Sequence, residues 1–285
     1  MTNFTIRGAL TFGFTLALLL FSVSSHATII ASIDQFTVDK NGSNIFTDNF
    51  DNGMTPSQEP TNYNVQGAFP DGAESGGQLT LNSDNGEIVN NAAGGVRQNQ
   101  HATYKTNIDP MRPNAGLNSG SNFDVTGTFN LVTPNSGLNN GYGVRFVDAL
   151  QGQVSTDRAL ELNVQFFEPL GMTVIRFLLQ DFANNTISTL GVEAYDPQMA
   201  DQILLKISHS LTDNNFNASY AFGTGGTFDP FTQFGNPGTL FNNTNFVRAQ
   251  FQVFTALPAK IPEPTTFALL GIGLLGLLIP HRRKS

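Results

Sequence analysis

The chain has 285 residues, no cysteine, no tryptophan and a formal net charge of −8 at pH 7. Without thiols there are no disulfide staples, thiolate nucleophiles, thiolate metal sites or lipid-modified cysteines. The acidic balance excludes the basic footprint that nucleic acid requires, and it suits solubility or loose cation association.

Residues 1–27 read as a secretory signal peptide. Arg7 supplies a positive start, Ala9 to Val23 is largely apolar, and Ser25-His26-Ala27 places small residues where a signal peptidase reads. Cleavage is predicted after Ala27. The alternative is an uncleaved anchor, because the leading region carries one charge only.

Residues 28–257 form the body, long enough at roughly 230 residues for one domain with a sizeable core. Without Arg7, Lys260, Glu263, Arg282, Arg283 and Lys284, it keeps 9 basic and 21 acidic groups, a net charge of −12. Alternation dominates it. Ile33–Val38 and Ile45–Phe50 flank Asn41-Gly42, a pair that supplies the positive φ of a hairpin turn. Phe123, Val125, Gly127, Phe129 and Leu131 share one face, with Asp124, Thr126, Thr128 and Asn130 on the other. The pattern repeats at Leu160–Phe166, Ile203–Ile207 and Phe216–Phe222, as half-buried strands do. Further turns are predicted at Asp84-Asn85-Gly86, Pro134 to Gly137, Asn139-Asn140-Gly141 and Asp213-Asn214-Asn215, and one short helical turn at Pro197 to Ile203. Many strands without crossover helices indicate an all-β antiparallel sandwich or barrel.

Phe46-Thr47-Asp48-Asn49-Phe50-Asp51, Tyr142 to Phe146, Leu160 to Val164, Ile203 to Ile207 and Ala218-Ser219-Tyr220 resemble a laminin-G or concanavalin-like jelly roll. That resemblance implies two curved antiparallel sheets and a concave face that often meets sugar. Laminarinase-like glycosidases of this shape carry two carboxylates at alternate positions of one strand, so that both point to the scissile bond. The similar place here is Glu161-Leu162-Asn163-Val164-Gln165. Asn163 and Gln165 are amides, which cannot give or take the proton that hydrolysis moves, and Phe166 removes the longer spacing. The three polar residues are therefore candidates for glycan binding, weighed against an ordinary solvated strand face.

Other chemistry finds little support. His101 and His209 are the body's two histidines, without ligand spacing, and a lone histidine on a strand reads as a polar surface residue. No Gly-x-Ser-x-Gly elbow occurs. Asp48, Asp51, Asp84, Asp181 and Asp213 sit beside asparagines, which admits calcium but fits backbone-bonded turns better. No catalytic residue, metal ligand or cofactor is assigned. Tyrosines are few, which weakens the stacking platforms that pyranoses favour.

Residues 258–266 read as a proline-rich linker and 267–285 as a hydrophobic segment with a basic tail. The apolar run from Phe267 to Pro280 would rise about 21 Å as a helix, short of the roughly 30 Å hydrocarbon core. Arg282, Arg283 and Lys284 can stretch its reach and favour a cytoplasmic end. Gly271, Gly273 and Gly276 match a dinucleotide-binding fingerprint by letter, but too little chain follows to build its strand and helix. Pro262-Glu263-Pro264-Thr265-Thr266, then Leu269 to Leu277, then Arg282-Arg283, resembles the PEP-CTERM protein-sorting signal. The resemblance implies an exosortase as processing partner, a transient stay in the inner membrane, and delivery to the surface or exopolysaccharide matrix of a Gram-negative bacterium. The expectation is an exported, non-enzymatic surface or matrix protein with a structural or adhesive role. A carbohydrate-binding module and a degenerate glycosidase are the alternatives.

Overall fold

The computed structural model describes residues 30–104, 117–134, 139–148, 158–241 and 246–257. The signal peptide with Ala27, the sorting motif at Pro262, Glu263 and Pro264, the hydrophobic segment and Arg282, Arg283 and Lys284 lie outside these residues. Among the described residues no helix is long and apolar enough to cross a membrane.

Two eight-stranded sheets face each other. The first contains β1 (Ile30–Lys40), β2 (Ser43–Asp48), β4 (Leu79–Asn82), β7 (Phe123–Asn130), β12 (Gln202–Ser210), β13 (Asn215–Thr224), β14 (Thr227–Phe228) and β15 (Thr232–Gly238). The second contains β3 (Tyr63–Gln66), β5 (Glu87–Asn90), β6 (Val96–Tyr104), β8 (Asn140–Asp148), β9 (Arg158–Phe167), β10 (Met172–Asp181), β11 (Thr186–Ala194) and β16 (Val247–Leu257). Its main path runs β11-β10-β9-β8-β16-β6-β3. The chain changes sheet seven times, at β2–β3, β3–β4, β4–β5, β6–β7, β7–β8, β11–β12 and β15–β16. The result is an all-β antiparallel sandwich of the jelly-roll type.

Period-two alternation decides which residues enter the space between the sheets. Ile33, Phe36, Val38, Val125, Phe129, Ile203, Leu205, Ile207 and Phe216 come from the first sheet, and Tyr142, Val144, Phe146, Leu160, Leu162, Val164, Ile175, Phe177, Phe251 and Val253 from the second; all are fully buried. Each large side chain contributes about 1.5–3 kcal/mol by leaving water. Two aromatic knots tie the sheets. Phe251 meets Phe36, Phe50 and Tyr63 edge-on at 5.1, 5.7 and 5.8 Å between centroids. Phe123 meets Phe146 at 5.2 Å and Phe216 at 5.8 Å, and stacks on His209 at 4.6 Å.

The Asn41-Gly42 hairpin forms as expected, with φ of 52° and 76°. Asn41 also ties the turn to the start of β7, since its N–H donates to Asn122 O at 2.8 Å and its Oδ1 accepts from Asn122 N at 3.1 Å. Two turn expectations are corrected. Asn140 and Gly141 belong to β8 rather than to a turn. Gly141 stands there because β9 passes close by: a Cβ would lie 2.4 Å from Val164 O and 2.6 Å from Gln165 Cβ. Pro197 to Ile203 makes no helical turn, because Ala200 N closes a tight turn on Pro197 O at 2.8 Å and β12 starts at Gln202.

The surface reading of the histidines is also corrected. His209 is 2% exposed, with Nδ1 2.8 Å from Ser121 O and Nε2 3.1 Å from Asn214 Oδ1. Its ring completes the Phe123 knot, so apolar stacking and two polar contacts together make burial affordable.

Candidate functional site

Each strand of the second sheet has a face turned away from the core. On β9 that face carries Glu161, Asn163 and Gln165, because Leu160, Leu162 and Val164 take the core positions. The structure therefore aligns the three predicted residues. They do not stand in solvent, being 1%, 0% and 2% exposed.

Antiparallel register supplies their neighbours. Arg145 on β8 stands opposite Glu161, and Gly143 opposite Asn163. On β16, Gln250 is opposite Arg145 and Gln252 opposite Gly143. On β6, Thr103 and His101 face Gln250 and Gln252, while Asn99 and Arg97 face Phe254 and Ala256. One polar layer thus crosses four adjacent strands.

Glu161 is its hub. Arg97 grips the carboxylate with both terminal nitrogens, Nη2 to Oε1 at 2.7 Å and Nη1 to Oε2 at 3.1 Å. Arg145 Nη1 adds a contact to Oε1 at 3.3 Å. Gln180 Nε2 donates to Oε1 at 2.7 Å and Asn163 Nδ2 to Oε2 at 3.2 Å. From there hydrogen bonds spread outward. Gln252 Nε2 donates to Asn163 Oδ1 at 3.2 Å, and Asn99 Nδ2 donates to Gln252 Oε1 at 3.2 Å. Arg145 Nε donates to Gln250 Oε1, and Gln250 Nε2 to Thr103 Oγ1 at 2.6 Å.

The charges follow from this packing. Burial would raise the Glu161 carboxyl, but Arg97, its own hydrogen bonds and Arg145 outweigh burial and hold the group well below the usual carboxylate range. Arg145 is pushed down to about 10 by burial and by Arg97, against the pull of Glu161, so it stays cationic at neutral pH. Burial, then Arg145 and Arg97, drives His101 well below its ordinary value. His101 is accordingly neutral at pH 7. Its Nδ1 lies 3.2 Å from Arg145 Nη2 and must accept there, because arginine only donates.

This arrangement defines what Glu161 can do. Held ionised and gripped on both oxygens, it cannot act as a general acid, and Asn163 and Gln165 supply no second carboxylate. Arg97, Asn99, Arg145, Gln250 and Gln252 were not singled out from sequence. Their signal was the polar residue at alternate positions, Arg97, Asn99, His101 and Thr103 in Val96–Tyr104 and Arg248, Gln250 and Gln252 in Val247–Leu257.

Beside the network lies a cleft of about 150 Å³, lined among others by Gln66, Asn90, Arg97, Asn99, Arg145 and Phe182. Glu161, Asn163 and Gln165 do not line it. Two buried atoms of lining residues lack a hydrogen-bond partner, Arg97 Nε and Asn99 Oδ1.

Three of the five aspartates beside asparagines are engaged in turn bonds. Asp48 accepts from Phe50 N at 2.8 Å, Asp181 from Asn184 N at 3.0 Å and Asp213 from Asn215 N at 3.3 Å.

Comparison with known proteins places one segment. Residues 260–283 match the model of the PEP-CTERM protein-sorting motif. The chain carries this sorting signal. The PEP-CTERM signal marks an exported protein that an exosortase sorts to the surface, and the match spans Pro262, Glu263, Pro264, Arg282 and Arg283. No curated protein matches the chain significantly. Among solved structures, lectin I-B4 from Griffonia simplicifolia in its metal-free form is 12% identical with a TM-score of 0.40, over 68% of this chain and 89% of the lectin. Winged bean acidic lectin complexed with methyl-α-D-galactose is 12% identical with a TM-score of 0.40, over 81% and 91%. A legume lectin-like domain from Entamoeba histolytica is 11% identical with a TM-score of 0.36, over 72% and 91%.

Proposed function

We propose that the chain is a non-enzymatic component of the cell surface or exopolysaccharide matrix of a Gram-negative bacterium, holding polysaccharide through the polar face of its second sheet. Signal peptidase removes residues 1–27, the body spans 28–257, the linker 258–266 presents the Pro262-Glu263-Pro264 motif, and 267–285 holds the chain in the inner membrane until an exosortase acts. The observation that carries the binding role is the cleft of about 150 Å³ beside the buried polar layer, where Gln66, Asn90, Arg97, Asn99 and Arg145 line an opening on the polar face of the second sheet. Such groups match sugar hydroxyls as donors and acceptors, and a pre-ordered layer loses little entropy on binding.

Two experiments test this reading. Deleting residues 262–285 releases the protein into the medium as a soluble species; a deleted chain that still fractionates with the envelope overturns sorting by the tail. The full-length chain retains polysaccharide extracted from its own host on a pull-down; failure to retain any overturns the binding role.

A further inference from the structure

We infer that the cleft between Arg97, Asn99 and Arg145 selects a carboxylate-bearing sugar, a uronate residue of an acidic polysaccharide, over a neutral one. The inference rests on the carbohydrate-holding role proposed above and names the chemistry of its ligand.

The first ground is charge balance. Glu161 carries one negative charge, and Arg97 and Arg145 one positive charge each, all three side chains being at most 8% exposed. With His101 neutral, the cluster is left with one uncompensated positive charge. Buried charges are stable when paired, and an unpaired one is costly. A monoanion in the cleft completes a two-by-two set of guanidinium and carboxylate groups, which a neutral sugar cannot do. Nearby charges do not fill this role. Arg176 is also cationic and couples to Glu161; Arg158 and Asp181 pair with each other at 2.7 Å. Glu87 stands at the exposed rim, where Gln66 Nε2 holds it at 2.9 Å.

The second ground is hydrogen-bond complementarity. Arg97 is 6% exposed and Asn99 1% exposed, and each line-of-wall residue leaves one polar atom unpaired, Nε as donor and Oδ1 as acceptor. Buried polar atoms without partners are rare, and the walls of this one cleft hold both a donor and an acceptor, which a ligand offering an acceptor and a donor satisfies once the two wall side chains turn toward it. A carboxylate oxygen beside a hydroxyl meets that demand. The guanidinium fork suits a planar carboxylate in particular.

The third ground is size. At about 150 Å³ the cleft holds the share of about five waters. That space accommodates the carboxylate end of one sugar ring with its neighbouring hydroxyl, while the rest of the polymer lies across the open side.

The test is calorimetric titration of the full-length chain in mild detergent with tri-galacturonate, with the neutral galactose trisaccharide and with a tri-glutamate peptide. Tri-galacturonate is expected to bind about tenfold more tightly than either of the others. Asn99→Asp, which places a like charge in the wall, weakens tri-galacturonate about tenfold more than it weakens the neutral sugar. Asn90→Asp, an exposed change at the lip, weakens tri-galacturonate about threefold and serves where Asn99→Asp fails to fold. Equal binding of both trisaccharides, with no response to either variant, overturns the anionic preference and leaves the carbohydrate role standing. Binding of neither trisaccharide overturns the inference, and the pull-down of host polysaccharide then decides the carbohydrate role. Equal binding of the peptide moves the ligand to protein carboxylates and overturns the inference.

Discussion

Along β9, Leu160, Leu162 and Val164 point between the sheets, while Glu161, Asn163 and Gln165 point away from them. Both sets are almost out of solvent. The inner face is held by apolar area and ring contacts, which are non-directional and tolerate small shifts. The outer face is held by directional bonds among groups that are expensive to leave unpaired. Equal burial thus hides unequal roles. The inner face stabilises the fold, whereas the outer one holds a charge and donor pattern in place, which is what recognition needs.

The comparison can be broken in graded ways. Phe216→Ala, inside the second aromatic knot, is expected to cost about 3–5 kcal/mol in urea unfolding, because the rings around it cannot collapse onto the void. Glu161→Gln is expected to cost about 3 kcal/mol, since it strands two buried guanidinium groups. The two faces then part in their couplings. Phe216→Ala and Glu161→Gln should add within about 0.5 kcal/mol, whereas Arg97→Met with Glu161→Gln should deviate from additivity by about 1–3 kcal/mol. Additivity in the second pair would show that the outer network does not act as a unit.

A smaller, pH-dependent contrast lies at one end of the sandwich. Asp48, Glu59 and Glu74 are buried near one another, and burial is the main cause that raises each carboxyl above its ordinary value, with mutual repulsion adding to it. Glu59 Oε2 and Glu74 Oε2 have no partner. A raised carboxyl binds its proton more tightly when folded, so stability falls as pH rises from the ordinary carboxylate value through the raised one. Glu161 is depressed and acts oppositely, with its contribution present above the ordinary carboxylate value and lost as pH falls below it. Glu74→Gln should therefore raise the melting temperature at pH 7 and leave it unchanged at pH 3. Glu161→Gln should lose most of its destabilising effect between pH 5 and pH 2. Least in size, Gly42→Ala should cost about 1 kcal/mol, because φ of 76° is a left-handed conformation.

Legibility in the sequence follows from how many faces a strand must satisfy. Phe123–Asn130 and Gln202–Ser210 each have one apolar face and one polar face, and alternation reveals them. Val96–Tyr104 does not, because both its faces are polar: Gln100 Oε1 accepts from Asn82 N at 2.8 Å on one side, while Arg97 reaches Glu161 on the other. Met172–Asp181 hides for the opposite reason, since Val174, Ile175, Phe177 and Leu178 are all buried and break the period. The alignment of Glu161, Asn163 and Gln165 was readable because it lies within one strand. Their ionic partners were not, because Arg97 is 64 residues from Glu161 and arrives only through the register of β6, β16 and β8. Asn139-Asn140-Gly141 misled because Asn-Gly reports a turn only where the glycine is needed for φ. Here it is needed for space.

Mass spectrometry of the protein recovered from the surface fraction of its host tests the sorting account most directly. The account predicts a species beginning at Thr28 and ending close to Pro262-Glu263-Pro264. Recovery of the intact chain from Met1 to Ser285 in the cytosol would contradict it.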